Sequence, residues 1–386
     1  MKNTIELFQD FNLDRGNLER FKKRLKKFSN FHKKLKVIHI VGTNGKGSLS
    51  NFLAETLIQN GYKVGLFTSP SFIDHNERIK VNGQMISDTD LIKYLQQIKE
   101  WVNNQSINFF EVFTWIAIMH FNAQGCDLCV FEAGIGGEFD STNVFKNNLA
   151  TLVTSLSFDH QDVLGSTIDA IAAQKLLIAK KQEPVFISYS NKNIKPILLK
   201  IRQDLIFVNY RQISNDLFIN DAACSLIKFC KYFNYKLDYE IFRKNILGRL
   251  SLFSNNVLLD GAHNFHGIKK MYANLRKNFA HQKIIIVYSS LQTKNYQKSI
   301  KYLSKKLANR FYVSFFQHDK AIAKDDVDTA VSQLEWDQIK TFVAQMQQEY
   351  LIVFCGSIYF ISAVYDLLSL DKFQEMRPIL PVRIKS

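Results

Sequence analysis

The sequence predicts an α/β fold with parallel β-sheets and helices on both sheet faces. Short β-branched segments alternate with longer amphipathic ones, which is the pattern of strand–helix–strand units. The chain of 386 residues is long for one compact domain and sufficient for two. Its composition, 46% hydrophobic and 22% charged, is that of a folded globular protein and excludes collagen-like and wholly disordered chains.

The alternation places the individual elements. Strands are expected at Lys36–Val41, Lys63–Phe67, Asp127–Glu132, Ala150–Leu156, Val185–Ser188, Val257–Leu259 and Lys283–Val287. Helices are expected at Ser48–Asn60, Asp88–Gln105, Phe113–Gln124, Thr167–Ala179 and His266–Phe279.

One apolar stretch, 351–370, has almost the length of a membrane-spanning helix. Gly356 interrupts it, and Asp366 would lie inside the bilayer. We therefore expect a buried strand at Tyr350–Phe354, a turn, and a helix from Ile358.

A change of composition marks a domain border. The stretch Asn234–Leu247 is polar and charged, and a new apolar strand pattern begins at Leu250. We expect one domain at 1–247 and a second at 248–386, both of ordinary size.

The charge balance predicts anionic partners. Lys plus Arg (50) exceed Asp plus Glu (35), which gives a net charge of +15. Nucleotides, carboxylate substrates and nucleic acid all satisfy this balance, so charge does not choose among them. Five cysteines without a repeated spacing argue against a secreted disulfide scaffold, and the N-terminal stretch lacks the apolar core of a signal peptide. We expect a cytoplasmic protein.

The sharpest motif is a glycine-rich loop that comprises Gly42, Thr43, Asn44, Gly45, Lys46, Gly47 and Ser48. It follows an apolar strand and opens a helix, which is the context of a phosphate-binding loop. Its backbone N–H groups and the helix N-terminus form an anion nest, Lys46 adds charge, and Ser48 can reach a magnesium ion. Gly47 separates Lys46 from Ser48, a departure from the usual Walker A spacing. A glycine-rich turn without a ligand is the alternative.

Two further predicted strands end in candidate ligand-binding residues. Glu132 precedes a glycine-rich turn and would supply a hard carboxylate for a divalent cation. Asp159 and His160 follow the next strand, and Lys175 lies in a largely apolar helix, where a buried lysine can react as an amine. The alternatives are a simple turn at Glu132, a helix cap at Asp159-His160, and a lysine whose amine reaches solvent.

A fourth motif, Asp260-Gly261-Ala262-His263-Asn264, opens the second predicted domain just beyond Gly248-Arg249. Ligands bind at the carboxyl ends of strands in open α/β sheets. Asp, His and Arg side chains at a domain junction suit a nucleotide held between two domains, and a plain turn is the alternative.

Taken in order, these motifs resemble the folylpolyglutamate synthase/dihydrofolate synthase family, relatives of the Mur ligases. The order is GTNGKGS, Thr68-Ser69-Pro70, Glu77-Arg78-Ile79-Lys80-Val81-Asn82-Gly83, EAGIGGEFDSTN, DHQDVLG, QKLLIAK, Gly248-Arg249 and DGAHN. Mur ligases share the architecture but usually carry a different phosphate loop and lack the second and third of these motifs.

The resemblance implies an N-terminal P-loop mononucleotide-binding domain with a parallel sheet, a smaller Rossmann-like α/β C-terminal domain, and ATP between them. It implies that ATP phosphorylates a pterin-linked carboxylate, either dihydropteroate or a folate, and that L-glutamate attacks the acyl phosphate. Mg²⁺ would accompany ATP. We expect a monomer whose partners are these small molecules, with neither nucleic acid nor a membrane among them.

The resemblance also implies roles for individual residues. The loop 42–48 would hold the phosphates, and Lys46, His160 and Lys175 would be catalytic, with Lys175 at the position where family members carbamylate a lysine. Magnesium ligands would be Ser48, Ser69, Glu132 and His160. Nucleotide contacts would be Asn220, Arg249, Asp260 and His263. Substrate contacts would be Phe110, Glu111, Val112 and Phe113, with Phe139, Asp140 and Ser141.

The chain departs from the family pattern at several positions. Ser71 follows Thr-Ser-Pro where a histidine is usual, Gln174 precedes Lys175 where a glutamate is frequent, and Glu138 follows the double glycine where an arginine is common. Lys294-Asn295 replaces a more acidic pattern. These departures leave the ATP machinery intact and bear on substrate preference.

Other interpretations stay open. Nine Lys/Arg residues in Arg20–Lys36, with interleaved aromatics, suit either a nucleic-acid-binding arm or an amphipathic helix with Phe21, Leu25 and Phe28 on its buried face. Cys126 and Cys129 have the spacing of half a zinc site. A Mur-type ligase acting on another carboxylate and a non-catalytic scaffold are the remaining alternatives.

Overall fold

The computed structural model describes residue 8 and residues 11–146, 148–244, 246–254 and 256–368. The chain divides into two units, the first made of Met1–Ile213 and Phe218–Phe242, the second of Ser214–Leu217 and Arg243–Ser386. The border expected at 247/248 from composition lies a few residues beyond this division and stays a prediction of where the functional domains meet.

The first unit is built on an eight-stranded sheet with the strand order β4-β3-β2-β5-β1-β6-β7-β8. In this spatial order, each neighbouring pair from β2 across to β8 is parallel. Strand β3 is antiparallel to both of its neighbours, β2 and β4. The strands are β1 (Val37–Val41), β2 (Val64–Phe67), β3 (Ile79–Val81), β4 (Gln84–Met85), β5 (Leu128–Glu132), β6 (Asn148–Val153), β7 (Val185–Ile187) and β8 (Leu205–Phe207).

Helices cover both faces of this sheet, as predicted. One face packs Phe21, Trp115 and Phe131 into a cluster with α1, α3 and α4, and the same face packs Val153 and Leu176 into a second cluster with α6 and α7. The other face packs against α8, where the rings of Phe186 and Phe229 lie 5.7 Å apart. The helices are α1 (Leu18–Phe28), α2 (Lys46–Gln59), α3 (Asp88–Val102), α4 (Phe109–Ala123), α5 (Gln161–Leu164), α6 (Ile168–Leu176), α7 (Lys195–Ile201) and α8 (Leu217–Phe233).

The second unit contains a six-stranded sheet with the order β13-β12-β11-β14-β10-β9, in which only β9 is antiparallel to its neighbour. Its strands are β9 (Ser251–Ser254), β10 (Val257–Asp260), β11 (Lys283–Tyr288), β12 (Phe311–Ser314), β13 (Gln333–Leu334) and β14 (Tyr350–Cys355). Its helices are α9 (Phe265–Asn278), α10 (Tyr296–Leu307), α11 (Ile339–Met346) and α12 (Ile358–Leu368). The predicted α/β class is confirmed.

The apolar stretch near the C-terminal end forms β14, a turn at Gly356, and α12, so this part of the prediction is confirmed as far as residue 368. None of the helices in the described part of the chain combines the length and apolar character that crossing a bilayer requires.

An edge hairpin was not predicted, and some predicted bounds are wrong. The sheet of the first unit carries the antiparallel hairpin of β3 and β4, whose turn, Asn82-Gly83, has positive φ at both residues (47° and 80°). The strand expected to reach Leu156 ends at Val153. The helix expected from Phe113 begins at Phe109, because the Asn108 side chain caps it by accepting a hydrogen bond from Phe110 N.

The basic segment at 20–36 begins with α1, an amphipathic helix. Phe21 and Leu25 are buried, whereas Lys23, Lys26 and Lys27 are exposed. The interleaved apolar residues of this helix therefore belong to the core of the first unit. A nucleic-acid-binding function of this segment would depend on its charge alone.

Candidate active site

Four predicted motifs leave the same edge of the first sheet. Strands β2, β5, β1 and β6 are adjacent and parallel, so their carboxyl ends lie side by side. These ends and the segments that follow them contain, in that order, Ser69, Glu132 as the last residue of β5, the loop 42–48, and His160. The fold thus gathers at one sheet edge residues that lie far apart in the sequence.

The glycine-rich loop leads directly into α2. Gly45 is the N-cap of this helix with φ of 88°, and Lys46 is its first residue. Helix α2 therefore directs its N-terminal N–H groups toward the loop, which is the arrangement that favours an anion. Ser48 is buried, whereas Lys46 is half-exposed, so its ammonium group can move to a ligand.

The segment after β6 forms hydrogen bonds with the glycine-rich loop. Thr43 N donates to Ser155 O at 2.7 Å, and Thr43 Oγ1 donates to Ser157 O at 3.1 Å. The hydroxyl of Ser155 donates to Asn44 O at 3.1 Å. These bonds explain why β6 stops at Val153, since the following backbone turns to meet the loop. Sequence reasoning missed this supporting role. The one sequence signal for it was the presence of Ser155 and Ser157 shortly before Asp159.

Gly42 is required by a close approach. Its φ is 149°, and a Cβ there would lie 2.0 Å from Thr154 Oγ1. We expect Gly42→Ala to lower the free energy of unfolding by about 2 kcal/mol or more, because Thr154 or the loop must shift. Urea unfolding measures this change.

Gly61→Ala is the matched control, because Gly61 has φ of 87° and no atom within 4 Å of an added Cβ. It isolates the backbone strain, which costs about 1 kcal/mol. Equal losses in the two variants would contradict the steric argument.

Glu132 lies beside the loop. Its side chain is 2% exposed, and its Oε2 would be 3.5 Å from a Cβ on Gly47. The same oxygen accepts from Ser69 N at 3.4 Å. The structure therefore brings Glu132 and Ser69 together next to the N-terminus of α2, where Ser48 also lies. These oxygen donors are of the kind that a hard divalent cation prefers.

His160 is placed by an unusual backbone conformation. It has φ of 48° and is the N-cap of the short α5. Its N donates to Asp159 Oδ1 at 3.0 Å, and its Nε2 lies 3.9 Å from the same oxygen. The helix-cap alternative therefore describes its backbone, and the metal-ligand role stays a prediction.

In the described residues, no three His, Cys, Asp or Glu side chains come together in a group that could hold a metal ion. Cys126 and Cys129 are both free. The zinc alternative thus lacks a ligand set there. A nucleotide-bound magnesium ion needs fewer protein ligands, because phosphates and water complete its coordination.

Lys175 is buried against the loop and does not extend to solvent. Its side chain is 4% exposed, and its Nζ donates to Gly42 O at 2.9 Å. The neighbouring Gly137 fits tightly, because an added Cβ would lie 2.6 Å from Lys175 O. The glycine-rich turn after β5 and helix α6 are therefore packed together, with Lys175 pointing to the phosphate loop.

Two departures from the family pattern face one another. Gln174 Nε2 donates to Glu138 Oε2 at 3.0 Å, and Glu138 N donates to Gln174 O at 2.9 Å. A glutamate at position 174 would oppose Glu138 with a like charge, whereas the neutral amide can donate. The two residues therefore form one hydrogen-bonded pair, which their separation in the sequence concealed.

The predicted substrate residues after β5 differ in exposure. Phe139 is 70% exposed, whereas Asp140 is buried. Burial raises the pKa of Asp140, and hydrogen bonds from Thr142 and Ile135 N oppose this effect. The Ser141 hydroxyl lies 2.7 Å from that of Thr114 on α4.

The predicted substrate residues on α4 also differ. The Phe110 ring packs on Gly134, where a Cβ would lie 2.7 Å from it, and so joins α4 to the turn after β5. Val112 and Phe113 are buried in the core. Glu111 accepts from Asn17 N at 2.8 Å, so its carboxylate holds the start of α1. Phe110 is the member of this group with the most direct access to the turn.

Three predicted nucleotide contacts lie together in the second unit. Asp260 accepts from Leu250 N and Ala262 N, both at 2.9 Å. Burial raises the pKa of Asp260 to about 6. His263 Nδ1 lies 3.0 Å from Gly261 O, and the Arg249 guanidinium lies against Gly261.

Asn220, the fourth predicted nucleotide contact, belongs to the first unit. Its Oδ1 accepts from Ile213 N at 2.6 Å, and its Nδ2 donates to the Tyr189 hydroxyl at 3.3 Å. Its amide therefore shapes the turn before α8, and its contact with a nucleotide stays a prediction.

The chain is similar to known proteins over almost its whole length. A dihydrofolate synthase/folylpolyglutamate synthase of Bacillus subtilis is 31% identical over 414 aligned positions, which cover 90% of this chain and 94% of that protein. No protein-family model matches the sequence.

Solved structures share the fold. A Mycobacterium tuberculosis folylpolyglutamate synthase, complexed with ADP and AMPPCP, has a TM-score of 0.81 at 22% identity and covers 96% of this chain and 99% of its own. A bifunctional Yersinia pestis folylpolyglutamate synthase/dihydrofolate synthase, complexed with AMPPNP and Mn, has a TM-score of 0.78 at 22% identity, with coverages of 92% and 94%.

Proposed function

The chain belongs to the dihydrofolate synthase/folylpolyglutamate synthase family, and on that premise we propose that it is an ATP-dependent ligase that joins L-glutamate to dihydropteroate, to folates, or to both. The observation that carries this proposal is the 31% identity across 90% of the chain. The shared sheet edge of the phosphate loop, Glu132, Ser69 and His160 supports it independently.

The reaction joins a carboxylate to the amine of L-glutamate, two groups that do not react with each other until the carboxylate is activated. The acceptor carboxylate first attacks the γ-phosphorus of ATP, which releases ADP and leaves an acyl phosphate. The amine of L-glutamate then attacks the acyl carbon, phosphate leaves, and the ammonium proton is lost to water. The protein must therefore hold three anionic partners close together and offset their repulsion. The net charge of +15 agrees with this demand.

The loop 42–48 is proposed to hold the triphosphate. The N-terminal N–H groups of α2 would bind phosphate oxygens. The ammonium group of Lys46 would offset the negative charge of the β- and γ-phosphates while the γ-phosphoryl group is transferred. Lys175 Nζ holds the carbonyl of Gly42 and so positions the start of the loop. Asn220 in the first unit and Arg249, Asp260 and His263 in the second are proposed to contact the nucleotide.

A divalent cation is proposed at Glu132, Ser48 and Ser69, whose oxygen atoms suit Mg²⁺. When bound, the ion neutralises the charge on the β- and γ-phosphates. The buried carboxylate of Glu132 lies next to Gly47 at the start of α2, which is where phosphate oxygens would lie. His160 would supply a nitrogen, which is a less suitable donor for so hard an ion. Its inclusion as a ligand therefore rests on the family resemblance.

The acceptor is proposed to bind along the turn after β5 and the start of α4. Phe110 and Phe139 offer aromatic surface for a flat pterin ring. Buried Asp140 fixes this turn through its bonds to Ile135 N and Thr142. Carbamylation of Lys175 is part of the proposal, as are a monomeric state, small-molecule partners only, and a cytoplasmic location.

Phosphate release tests this function. With ATP, Mg²⁺ and L-glutamate, the purified protein should release phosphate only when dihydropteroate or tetrahydrofolate is added, and the product should gain one glutamyl residue by mass. Comparing the two acceptors decides between the two reactions. Release that does not depend on L-glutamate, or no release with either acceptor, would overturn the proposal.

A further inference from the structure

One imidazole outside the residues assigned above packs against the start of α4, the helix that carries Phe110 of the proposed acceptor site. His75 begins a short 3₁₀ turn, His75–Arg78, in the segment that follows Ser69. Its ring centroid lies 5.5 Å from that of Phe109 and 5.4 Å from that of Phe113. Both rings belong to the first turns of α4, together with Phe110. His75 thus lies in the segment that follows Ser69 and against the helix that carries Phe110.

The turn that carries His75 is held rigidly. The Glu77 carboxylate accepts hydrogen bonds from the backbone N atoms of Phe72, Ile73 and Asp74, at 2.8, 2.8 and 2.9 Å. Asn76 Nδ2 donates to Ile86 O at 2.9 Å. A side chain on such a turn has a defined position before any ligand binds, which is what a binding residue requires.

The hydrogen bonds of the ring determine its tautomer. His75 Nδ1 lies 3.3 Å from Ser71 Oγ and 3.5 Å from Arg78 Nε. Because a guanidinium can only donate, Nδ1 must accept, and the proton of the neutral ring is on Nε2. Burial, followed by the charge of Arg78, lowers the pKa of His75 to about 4, so the ring is neutral at pH 7.

Arg78 and Ser71 both contact the Nδ1 side of the His75 ring. The Arg78 guanidinium lies over the rings of Phe109 and Phe113, at 5.5 and 5.2 Å from their centroids, and Arg78 is buried. Ser71 occupies the position where the family resemblance leads one to expect a histidine. Here its hydroxyl instead supports an imidazole that comes from four residues later.

We propose that His75 is an acceptor-binding residue that donates a hydrogen bond from Nε2 to an oxygen or nitrogen atom of the pterin-linked substrate. The inference rests on the proposed function, since it names a residue that binds the substrate of that reaction. The orienting contacts of Ser71 and Arg78 use Nδ1, and the opposite nitrogen is the one that can donate. His75 would then set the affinity for the acceptor and leave ATP and L-glutamate binding unchanged.

Two substitutions at this position separate a donor from a packing residue. His75→Phe keeps an aromatic ring against Phe109 and Phe113 and removes the donor, whereas His75→Gln keeps an N–H group at a similar reach. We expect His75→Phe to raise the KM for the acceptor about five- to tenfold, the loss of roughly one neutral hydrogen bond. The KM values for ATP and L-glutamate should stay within about twofold, and His75→Gln should recover most of the acceptor affinity.

The control is His281→Phe, the same change at an exposed histidine of the second unit. It should leave all three KM values unchanged. If His75→Phe does not fold, His75→Met replaces it with the same expected results.

An unchanged acceptor KM in a folded phenylalanine or methionine variant would overturn the inference. So would an equal rise of all three KM values, or a glutamine variant as weak as the phenylalanine variant. If the wild-type protein shows no glutamate-dependent turnover, the proposed function itself fails, which is a different result.

Discussion

Replacing Glu132 with glutamine is expected to lower the ligation rate by about a hundredfold or more while the protein stays folded. The carboxylate is 2% exposed and lies beside Gly47 and Ser69 N, at the start of α2. Glutamine has nearly the same shape but lacks the negative charge that would hold a cation against the phosphates. The measurement is kcat as a function of Mg²⁺ concentration, with circular dichroism as the check on folding.

The matched control is Glu100→Gln, the same change at an exposed position on α3. It should retain the wild-type rate and the wild-type Mg²⁺ dependence. His160→Ala should also lower the rate strongly if His160 is a ligand. Normal ligation by Glu132→Gln at low Mg²⁺ would show that the cation is held elsewhere.

Replacing Lys175 with alanine is expected to lower turnover by about a hundredfold or more, because the buried Nζ that holds Gly42 O at 2.9 Å is lost. If the lysine is carbamylated, short-chain carboxylates such as acetate should enter the space and restore part of the activity. The measurement is phosphate release by Lys175→Ala at increasing acetate concentrations.

Lys175→Arg distinguishes the two roles of this residue. Arginine can donate to Gly42 O but cannot form the carbamate, so it should stay inactive if the modification is required. High activity of the arginine variant, together with no acetate rescue of the alanine variant, would contradict the carbamate proposal. Lys175 would then serve only to anchor the loop.

The sequence was sufficient to predict the class of the fold and to identify motifs that the structure places at one sheet edge, because both depend on local patterns. Strand-then-glycine motifs identify the carboxyl ends of strands, and parallel strands bring those ends to one edge. The loop 42–48 and Glu132 could therefore be placed before the topology was known. The amphipathic pattern of α1 likewise predicted the burial of Phe21 and Leu25, but it gave no sign that Arg24 is buried and that Phe28 is only partly so.

Contacts between distant residues could not be predicted in this way. Neither Glu138 nor Gln174 carries a signal of its partner, and they form one pair only because α6 packs against the turn after β5. Ser71 and His75 are close in sequence, but their contact depends on a turn that Glu77 holds. The early end of β6 was missed because its cause, the bond between Thr43 and Ser155, links two separate loops.

A crystal structure with a non-hydrolysable ATP analogue and Mg²⁺ tests the central claim most directly. We expect the β- and γ-phosphate oxygens within hydrogen-bonding distance, about 2.7–3.2 Å, of the backbone nitrogens of residues 42–48, with the metal ion at Glu132. Phosphates bound at any other part of the chain, with this loop empty, would contradict the account.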